Sequence, residues 1–172
     1  MFAPDIIQSV IHYVSGDILL SRAQAVAHGV APKDPMNQGL ARSLHEMYPA
    51  MHKDYHHWCN LTHARPGEAW MWGGPGGVRV INLITQEGGY GHGGHPGRAT
   101  IKHVRDALRS LARIVEREGL SSLALPRLAT GVGGLRWADV RPVIEERLGA
   151  LEIPVYVYAE FHAGQRAEEP SV

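Results

Sequence analysis

Residues 101–118 carry the pattern that most restricts the fold, that of a long amphipathic helix. Apolar residues recur at every third or fourth position and would share one face, while the charged residues fall elsewhere. Thr100 suits the N-cap of this helix, and Gly119 suits the position after its last turn. Because a single apolar stripe must be buried against another element, the helix predicts a sheet or a second helix beside it.

Short apolar runs rich in β-branched or aromatic residues predict the strands of such a sheet. They cover residues 9–14, 25–30, 69–72, 78–84, 122–125 and 153–159. Further helices are predicted from Gly39, over 50–59 and over 137–148. Strands that alternate with helices predict an α/β fold, a three-layer α/β/α sandwich with a mixed central sheet. We expect a single domain over 1–162 and a disordered polar tail over 163–172.

Charge and composition exclude several functional classes. Lys plus Arg and Asp plus Glu number 17 each, so the net charge is zero and gives no bulk attraction to DNA or anionic membranes. Acidic residues also interleave with the arginines of 101–118, so direct nucleic-acid binding is not favoured. The single cysteine, no visible signal peptide and no membrane-length apolar stretch predict a cytoplasmic protein. The oligomeric state stays open.

The eleven histidines raise the question of a metal site. His52, His56, His57, Cys59 and His63 lie close together, and the first two have the i, i+4 spacing of one helix face. Zinc sites usually draw ligands from two spaced pairs, and this cluster lacks the second pair. We therefore expect an ordinary solvated helix face, with no metal and no cofactor.

Residues 124–137 predict a strand, a glycine-rich loop and a helix in succession. Glycines allow a tight turn, close approach of a ligand and several N–H groups aimed into one concavity, which suits a phosphate or diphosphate. The segment has neither the Gly-Lys-Ser/Thr of a P-loop nor the glycine spacing of a Rossmann fold. A tight connection with no ligand is the alternative interpretation.

Two other strand ends carry candidate binding residues. Asp17 follows the first strand, where its carboxylate could accept from the exocyclic amine of a purine while the next backbone N–H donates to a ring nitrogen. The alternative is that Asp17 only caps the following turn. Residues 27–41 leave a buried strand through a polar loop and return at Gly39, which could approach a ribose or merely fit where helix meets sheet.

Taken in this order, the motifs resemble those of macrodomains, the ADP-ribose-binding α/β/α modules. Within this family, the chain resembles most the branch of the terminal ADP-ribose protein glycohydrolases and the DNA-ADP-ribose hydrolase antitoxins. The resemblance spans about residues 11–158, with matching segments at 13–17, 27–29, 39–41, 82–85, 125–127 and 131–137.

The resemblance implies a role for each matching position. Asp17 and Ile18 would hold adenine with Tyr158 beside them, and the loop ending at Gly39 would close over the distal ribose. The diphosphate would be wrapped by the glycine-rich loop, whose residues are Thr130, Gly131, Val132, Gly133, Gly134 and Leu135.

Two departures from the branch bear on catalysis. It has a lysine nucleophile just after the strand that matches residues 82–85 and an aspartate in the glycine-rich loop, where this chain has Gln86 and Gly133. A glutamine amide cannot form the covalent intermediate that a lysine amine can. The candidate catalytic groups are Gln86 itself, Glu87 beside it and Asp34 in the distal-ribose loop, or the substrate's own diphosphate. Structural or solvent contacts are the alternative for Glu87 and Asp34.

Glycine supplies six of the ten residues in 88–97. This segment is either a mobile flap that brings Tyr90, His92 or His95 to the ligand or a surface insertion without function. The sequence as a whole favours a hydrolase that removes mono-ADP-ribose from modified acidic residues of proteins. The first alternative is a reader that binds ADP-ribose without cleaving it, and a further one is a protein for another adenine diphosphate.

Overall fold

The computed structural model describes residues 10–88 and 96–170. Its strands are β1 (Ile11–Gly16), β2 (Ala25–Val30), β3 (Ala69–Gly73), β4 (Arg79–Ile84), β5 (Leu123–Pro126) and β6 (Val155–Phe161). Its α-helices are α1 (Gly39–Met47), α2 (Pro49–Thr62), α3 (Ile101–Glu118) and α4 (Trp137–Leu148). Short 3-10 turns cover Ile18–Leu20 and Pro75–Gly77. None of the helices in these two ranges is long and apolar enough to cross a bilayer.

The six strands form one mixed sheet in the order β1-β6-β5-β2-β4-β3. Only the pairing of β3 with β4 is antiparallel among the strand pairs of this sheet. The predicted α/β fold is thus confirmed. The first and last strands end two residues later than predicted, because β1 and β6 pair through Gly16 and Phe161, beyond the apolar alternation visible in the sequence.

Helices cover both faces of the sheet because neighbouring residues on each strand point to opposite sides. Ala25 and Ala27 of β2 pack with α3 and α4, whereas Val30 of the same strand packs with α1 and α2. Thr100 caps helix α3 with its side chain, which accepts from the His103 amide, and the helix buries the stripe that the sequence predicted. The result is a three-layer sandwich.

The parallel strands β1, β2, β4, β5 and β6 end at the same edge of the sheet, so the loops that follow them converge there. In open α/β sheets this carboxyl edge is where ligands bind.

The segment after β6 differs from the disordered tail expected over 163–172. Residues 163–170 cross the end of β1, where the Asp17 amide donates to the Gln165 carbonyl at 2.7 Å and the Gly164 amide donates to the Asp17 carboxylate at 2.9 Å. These partners lie almost 150 positions away in sequence, so local polarity could not reveal them. Residues 171–172 lie outside the described residues.

Candidate functional site

A cleft lies along the carboxyl edge of the sheet. It consists of two cavities of about 440 and 360 Å³ that share Gly39, Leu40 and Pro126 in their walls. The first, called here the apolar end, lies beside residues 16–19 at the exit of β1. The second, called the polar end, lies between the loop after β2 and the glycine-rich loop after β5. The cleft therefore joins the three strand ends that the sequence singled out.

Asp17 lies in the wall of the apolar end and is 8% exposed. Its Oδ1 accepts from the Leu19 amide at 3.0 Å and so caps the 3-10 turn, while its Oδ2 accepts from Gly164. A carboxylate oxygen has two lone pairs, so each oxygen keeps one for a ligand. The N–H of Ile18 is at the first position of the turn, where an amide has no acceptor within the helix. Capping and ligand binding are therefore compatible at Asp17.

Two aromatic residues of β6 line the apolar end. Tyr158 is buried, and its hydroxyl donates to Glu169 at 2.9 Å. Burial raises the pKa of Tyr158, so the phenol stays a neutral donor at physiological pH. Phe161, which the sequence analysis did not consider, leaves 70% of its surface exposed at the same cavity. An exposed aromatic ring beside a carboxylate and a backbone donor can cover the face of a purine.

The glycine-rich loop places Gly131, Val132 and Gly133 in the wall of the polar end, whereas the other predicted loop residues, Thr130, Gly134 and Leu135, are not among its lining residues. Ala129 and Gly134 adopt positive φ of 61° and 76°, and the loop is closed by bonds from Gly134 to Gly131 and from Leu135 to Ala129, both of 3.0 Å. Within the described residues, the amides of 130–133 donate to no acceptor. Successive unpaired N–H groups in such a turn form an anion-binding concavity.

Gly133 has no room for a side chain. A Cβ atom at this position would lie 2.6 Å from the Ala129 carbonyl oxygen and 3.0 Å from two further backbone atoms of Ala129. Its own carbonyl accepts from the Ala99 amide at 3.0 Å, which ties the loop to the start of α3. The backbone geometry of the loop therefore excludes any side chain at this position.

The three proposed catalytic side chains are placed differently. Gln86 and Asp34 line the polar end, whereas Glu87 is not among its lining residues. The Glu87 carboxylate lies 2.8 Å from Nε2 of His103 on α3. Gln86 and Glu87 are adjacent in an extended segment, so their side chains point to opposite sides. The structure thus places Gln86 and Asp34 at the same cavity and Glu87 outside it.

Structural contacts hold both cleft-lining candidates. Gln86 is buried and donates from Nε2 to the Gly97 carbonyl at 3.0 Å. Asp34 is also buried, and its two oxygens accept from the amides of Ala31 at 2.9 Å and Met36 at 2.8 Å. These bonds support the structural interpretation of Asp34, whose carboxylate fixes its own loop.

His28 is a residue of the polar end that the sequence analysis did not single out. It is 2% exposed, and its Nε2 lies 2.7 Å from Oδ1 of Asn82 on the neighbouring strand. Burial lowers the pKa of His28, so the imidazole is neutral and donates to the amide oxygen. Its Nδ1 has no partner among the described residues. The sequence contained a signal for this residue, because a histidine within the apolar run 25–30 is a polar group in a buried strand.

Three histidines of α1 and α2 form a column, in which His45 stacks on His52 and His56 is tilted against His52. The ring centroids of His45 and His52 lie 4.0 Å apart, and those of His52 and His56 lie 4.3 Å apart. His56 donates to the Asp34 carbonyl at 2.7 Å and His45 to the Met36 carbonyl at 3.2 Å, so the column braces the loop after β2. Within the ranges described, no group of three His, Cys, Asp or Glu side chains could hold a metal ion.

The predicted flap lies mostly outside the described residues, which omit 89–95 and with them Tyr90, His92 and His95. Pro96, at its far end, lines the polar end of the cleft.

Comparison with known proteins supports the architecture. The family model of the macro domain matches residues 27–144. The chain belongs to the macro domain family. A curated relative from Thermus aquaticus, named DNA ADP-ribosyl glycohydrolase, is 28% identical over 153 residues. That match covers 87% of this chain but 41% of the relative, so this macro domain spans about two fifths of the curated relative's length.

Solved macrodomains have the same fold. The macrodomain of Thermus aquaticus DarG superposes with a TM-score of 0.76 at 26% identity, covering 87% of this chain and 97% of that one. Thermosipho africanus DarTG, solved in complex with ADP-ribose, gives a TM-score of 0.78 at 24% identity, covering 93% of this chain and 43% of that one. At this identity the second match supports the fold alone.

Proposed function

We propose that this macro domain binds ADP-ribose along the cleft and hydrolyses mono-ADP-ribose from modified acidic residues of proteins. The observation that carries the binding proposal is the pair of complementary ends. Asp17 and the Ile18 amide offer an acceptor and a donor to adenine at the apolar end. The amides of 131–133, which have no acceptor among the described residues, offer donors to the diphosphate at the polar end. The distal ribose then lies between Gly39 and Gln86.

The proposed ligand needs no net positive charge on the protein. A diphosphate in a concavity of backbone amides is held by partial charges that act over hydrogen-bond distances. Arg127 adds one exposed cation at the polar end, where its guanidinium also lies 5.4 Å from the centre of the Trp137 ring. This arrangement agrees with the neutral overall composition.

The cleft chemistry favours an ester to a carboxylate over a bond to a nucleobase. Hydrolysis breaks the bond between the anomeric carbon and the leaving atom, and water supplies the hydroxyl that remains on ADP-ribose. A glutamate or aspartate leaves as a carboxylate with a pKa near ~4, so it needs no general acid. A nucleobase nitrogen is a poorer leaving group, so its departure depends more on a general acid. Gly133 stands where an acid would be, and Asp34 is committed to two backbone amides.

The substrate's diphosphate and Gln86 are the groups that remain to activate the water. The diphosphate can accept the proton of a water held near the anomeric carbon, and the proton then passes to the carboxylate product or to solvent. Gln86 can orient that water through its amide oxygen, because its Nε2 is already bound to the Gly97 carbonyl. A second candidate function is a reader that binds without cleavage. The closed geometry at Gly133 is the observation that favours it.

Calorimetry with ADP-ribose on the unaltered chain and on Asp17→Asn tests the binding proposal. We expect the variant to bind about 10- to 150-fold more weakly, because a hydrogen bond to a charged acceptor contributes about 1.5–3 kcal/mol. Asp139→Asn on α4 removes an equal charge at an exposed ion pair with Arg136 and serves as the control. Unchanged affinity of Asp17→Asn would refute the assignment of the apolar end to adenine.

Mass spectrometry of released ADP-ribose then tests the reaction. One substrate is a protein ADP-ribosylated on glutamate, and the other is an oligonucleotide ADP-ribosylated on a base. Release from the protein alone is the expected result. Binding without release from either substrate would establish the reader, and release from the oligonucleotide alone would overturn the leaving-group argument.

A further inference from the structure

The residues after β6 form a C-terminal strap, defined here as 162–170, that contacts Asp17 in the wall of the apolar end of the cleft. Its attachment to Asp17 involves both the main chain and the side chain. The Asp17 amide donates to the Gln165 carbonyl at 2.7 Å, and the Gly164 amide donates to Oδ2 of Asp17 at 2.9 Å. The carboxylate is thus held between Gly164 on the strap and Leu19 in the 3-10 turn, which fixes the plane of its two oxygens.

Glu169 anchors the far end of the strap through three hydrogen bonds to the protein body. Its carboxylate accepts from the Ser21 hydroxyl at 2.6 Å, from the Arg22 amide at 2.8 Å and from the Tyr158 hydroxyl at 2.9 Å. Bonds to a charged acceptor are stronger than those between neutral groups. Glu169 thereby also orients Tyr158, which lines the apolar end.

Close packing at β1 shows that the protein body accommodates the strap. Gly16 has a φ of +155°, and a Cβ atom on it would lie 2.7 Å from the Ala167 nitrogen and 2.8 Å from the Gln165 carbonyl oxygen. Any side chain at Gly16 would therefore displace the strap. Ala167 in turn packs on the apolar cluster that contains Ile18 and Tyr158.

We propose that the strap sets the base specificity of the cleft, with Glu169 as the positioning residue that holds the strap against Asp17. This inference rests on the proposed binding of ADP-ribose and adds which part of the chain makes the adenine end selective. A fixed carboxylate accepts from the amine of adenine and repels the carbonyl oxygen that hypoxanthine carries at the same position. A carboxylate released from Gly164 could turn away, so discrimination between the two bases would fall.

The test compares affinities for ADP-ribose and for inosine diphosphate ribose, measured by calorimetry on four chains. These are the unaltered chain, Glu169→Ala, a chain that ends at His162, and Glu168→Gln as the control. Glu168 is the exposed neighbour of Glu169 and has no hydrogen bond to the described residues. We expect Glu169→Ala and the shortened chain to lose about tenfold or more in the ratio of the two affinities. Glu168→Gln should keep the ratio of the unaltered chain.

A reduced ratio separates positioning from general destabilisation, because loss of folded protein lowers the affinity for both ligands equally. Hydrogen exchange at the Asp17 amide gives a second readout, since that amide should exchange faster once the Gln165 carbonyl no longer accepts from it. An unchanged ratio in Glu169→Ala and in the shortened chain would overturn the role of the strap. If the unaltered chain binds neither ligand, the proposed function itself fails, and base selection by the strap fails with it.

Discussion

Replacement of Gly133 by alanine tests whether the glycine-rich loop excludes a side chain at the position where the resemblance leads us to expect an acid. The added Cβ would lie 2.6 Å from the Ala129 carbonyl oxygen, well inside the 3.4–4 Å of ordinary contact. All three short contacts are with backbone atoms of Ala129, so no side chain can rotate away to relieve them. The loop must shift instead, and extra atoms in a packed site cost about 1–3 kcal/mol.

The measurements are the urea midpoint, the thermal midpoint and the affinity for ADP-ribose. For a chain of this size, 1 kcal/mol corresponds to about 2–4 °C, so Gly133→Ala should melt about 2–12 °C lower. A shifted loop would also move the amides of 130–133, so ADP-ribose affinity should fall even where the variant is fully folded. The bond from Ala99 to the Gly133 carbonyl would weaken as well.

Gly131→Ala is the matched control in the same loop. A Cβ at Gly131 would meet no atom within 4 Å, and no unusual φ is required there. This variant should keep its stability or gain up to about 1 kcal/mol through the lower entropy of its unfolded chain. Equal stability of the two alanine variants would refute the steric exclusion of a side chain at Gly133.

Two further predictions concern the loop after β2 and its histidine column. Asp34→Ala should lower the free energy of unfolding by about 2–4 kcal/mol, because two amides lose a buried charged acceptor. Glu87→Gln should change the same quantity by less than about 1 kcal/mol, because the Glu87 carboxylate contacts His103 in a partly exposed pair. Urea unfolding of both variants measures the difference. Burial, and then the neighbouring His56 and His45, lower the pKa of His52, so the folded state binds fewer protons than the unfolded state below about pH 6.5. Stability contributed by His52 is therefore complete above that pH and lost on acidification, so the urea midpoint should fall between pH 7.5 and 5.5 by more in the unaltered chain than in His52→Gln. An equal fall in both chains would contradict this assignment.

Local patterns in the sequence were enough to predict the helices and strands and the edge of the sheet at which the candidate site lies. The apolar stripe of α3 and its two caps are contained within twenty residues, so they could be predicted without knowledge of the rest. The convergence of Asp17, the loop to Gly39 and the glycine-rich loop follows from parallel strands, whose carboxyl ends share one edge.

The remaining features depend on contacts that a linear pattern does not contain. Glu87 points to His103 and away from the cleft because a shift of one residue in an extended segment changes the side. Asp34 is adjacent to the cleft but is held by its own loop, and only the hydrogen bonds show this. The segment after β6 is polar, and its order arises from bonds to Asp17, Ser21 and Tyr158, which composition cannot reveal.

The two ends of the cleft differ in where their residues come from along the chain. The polar end, from His28 to Gly133, lies within residues 27–144, which match the macro domain family. Asp17, Tyr158 and the C-terminal strap lie outside that range. On the proposed function, the diphosphate and distal ribose would bind to the part of the chain that the family model describes. On the same proposal, the base would be selected by flanking segments that contact each other, because Gly164 of the strap donates to Asp17 and Glu169 accepts from Tyr158.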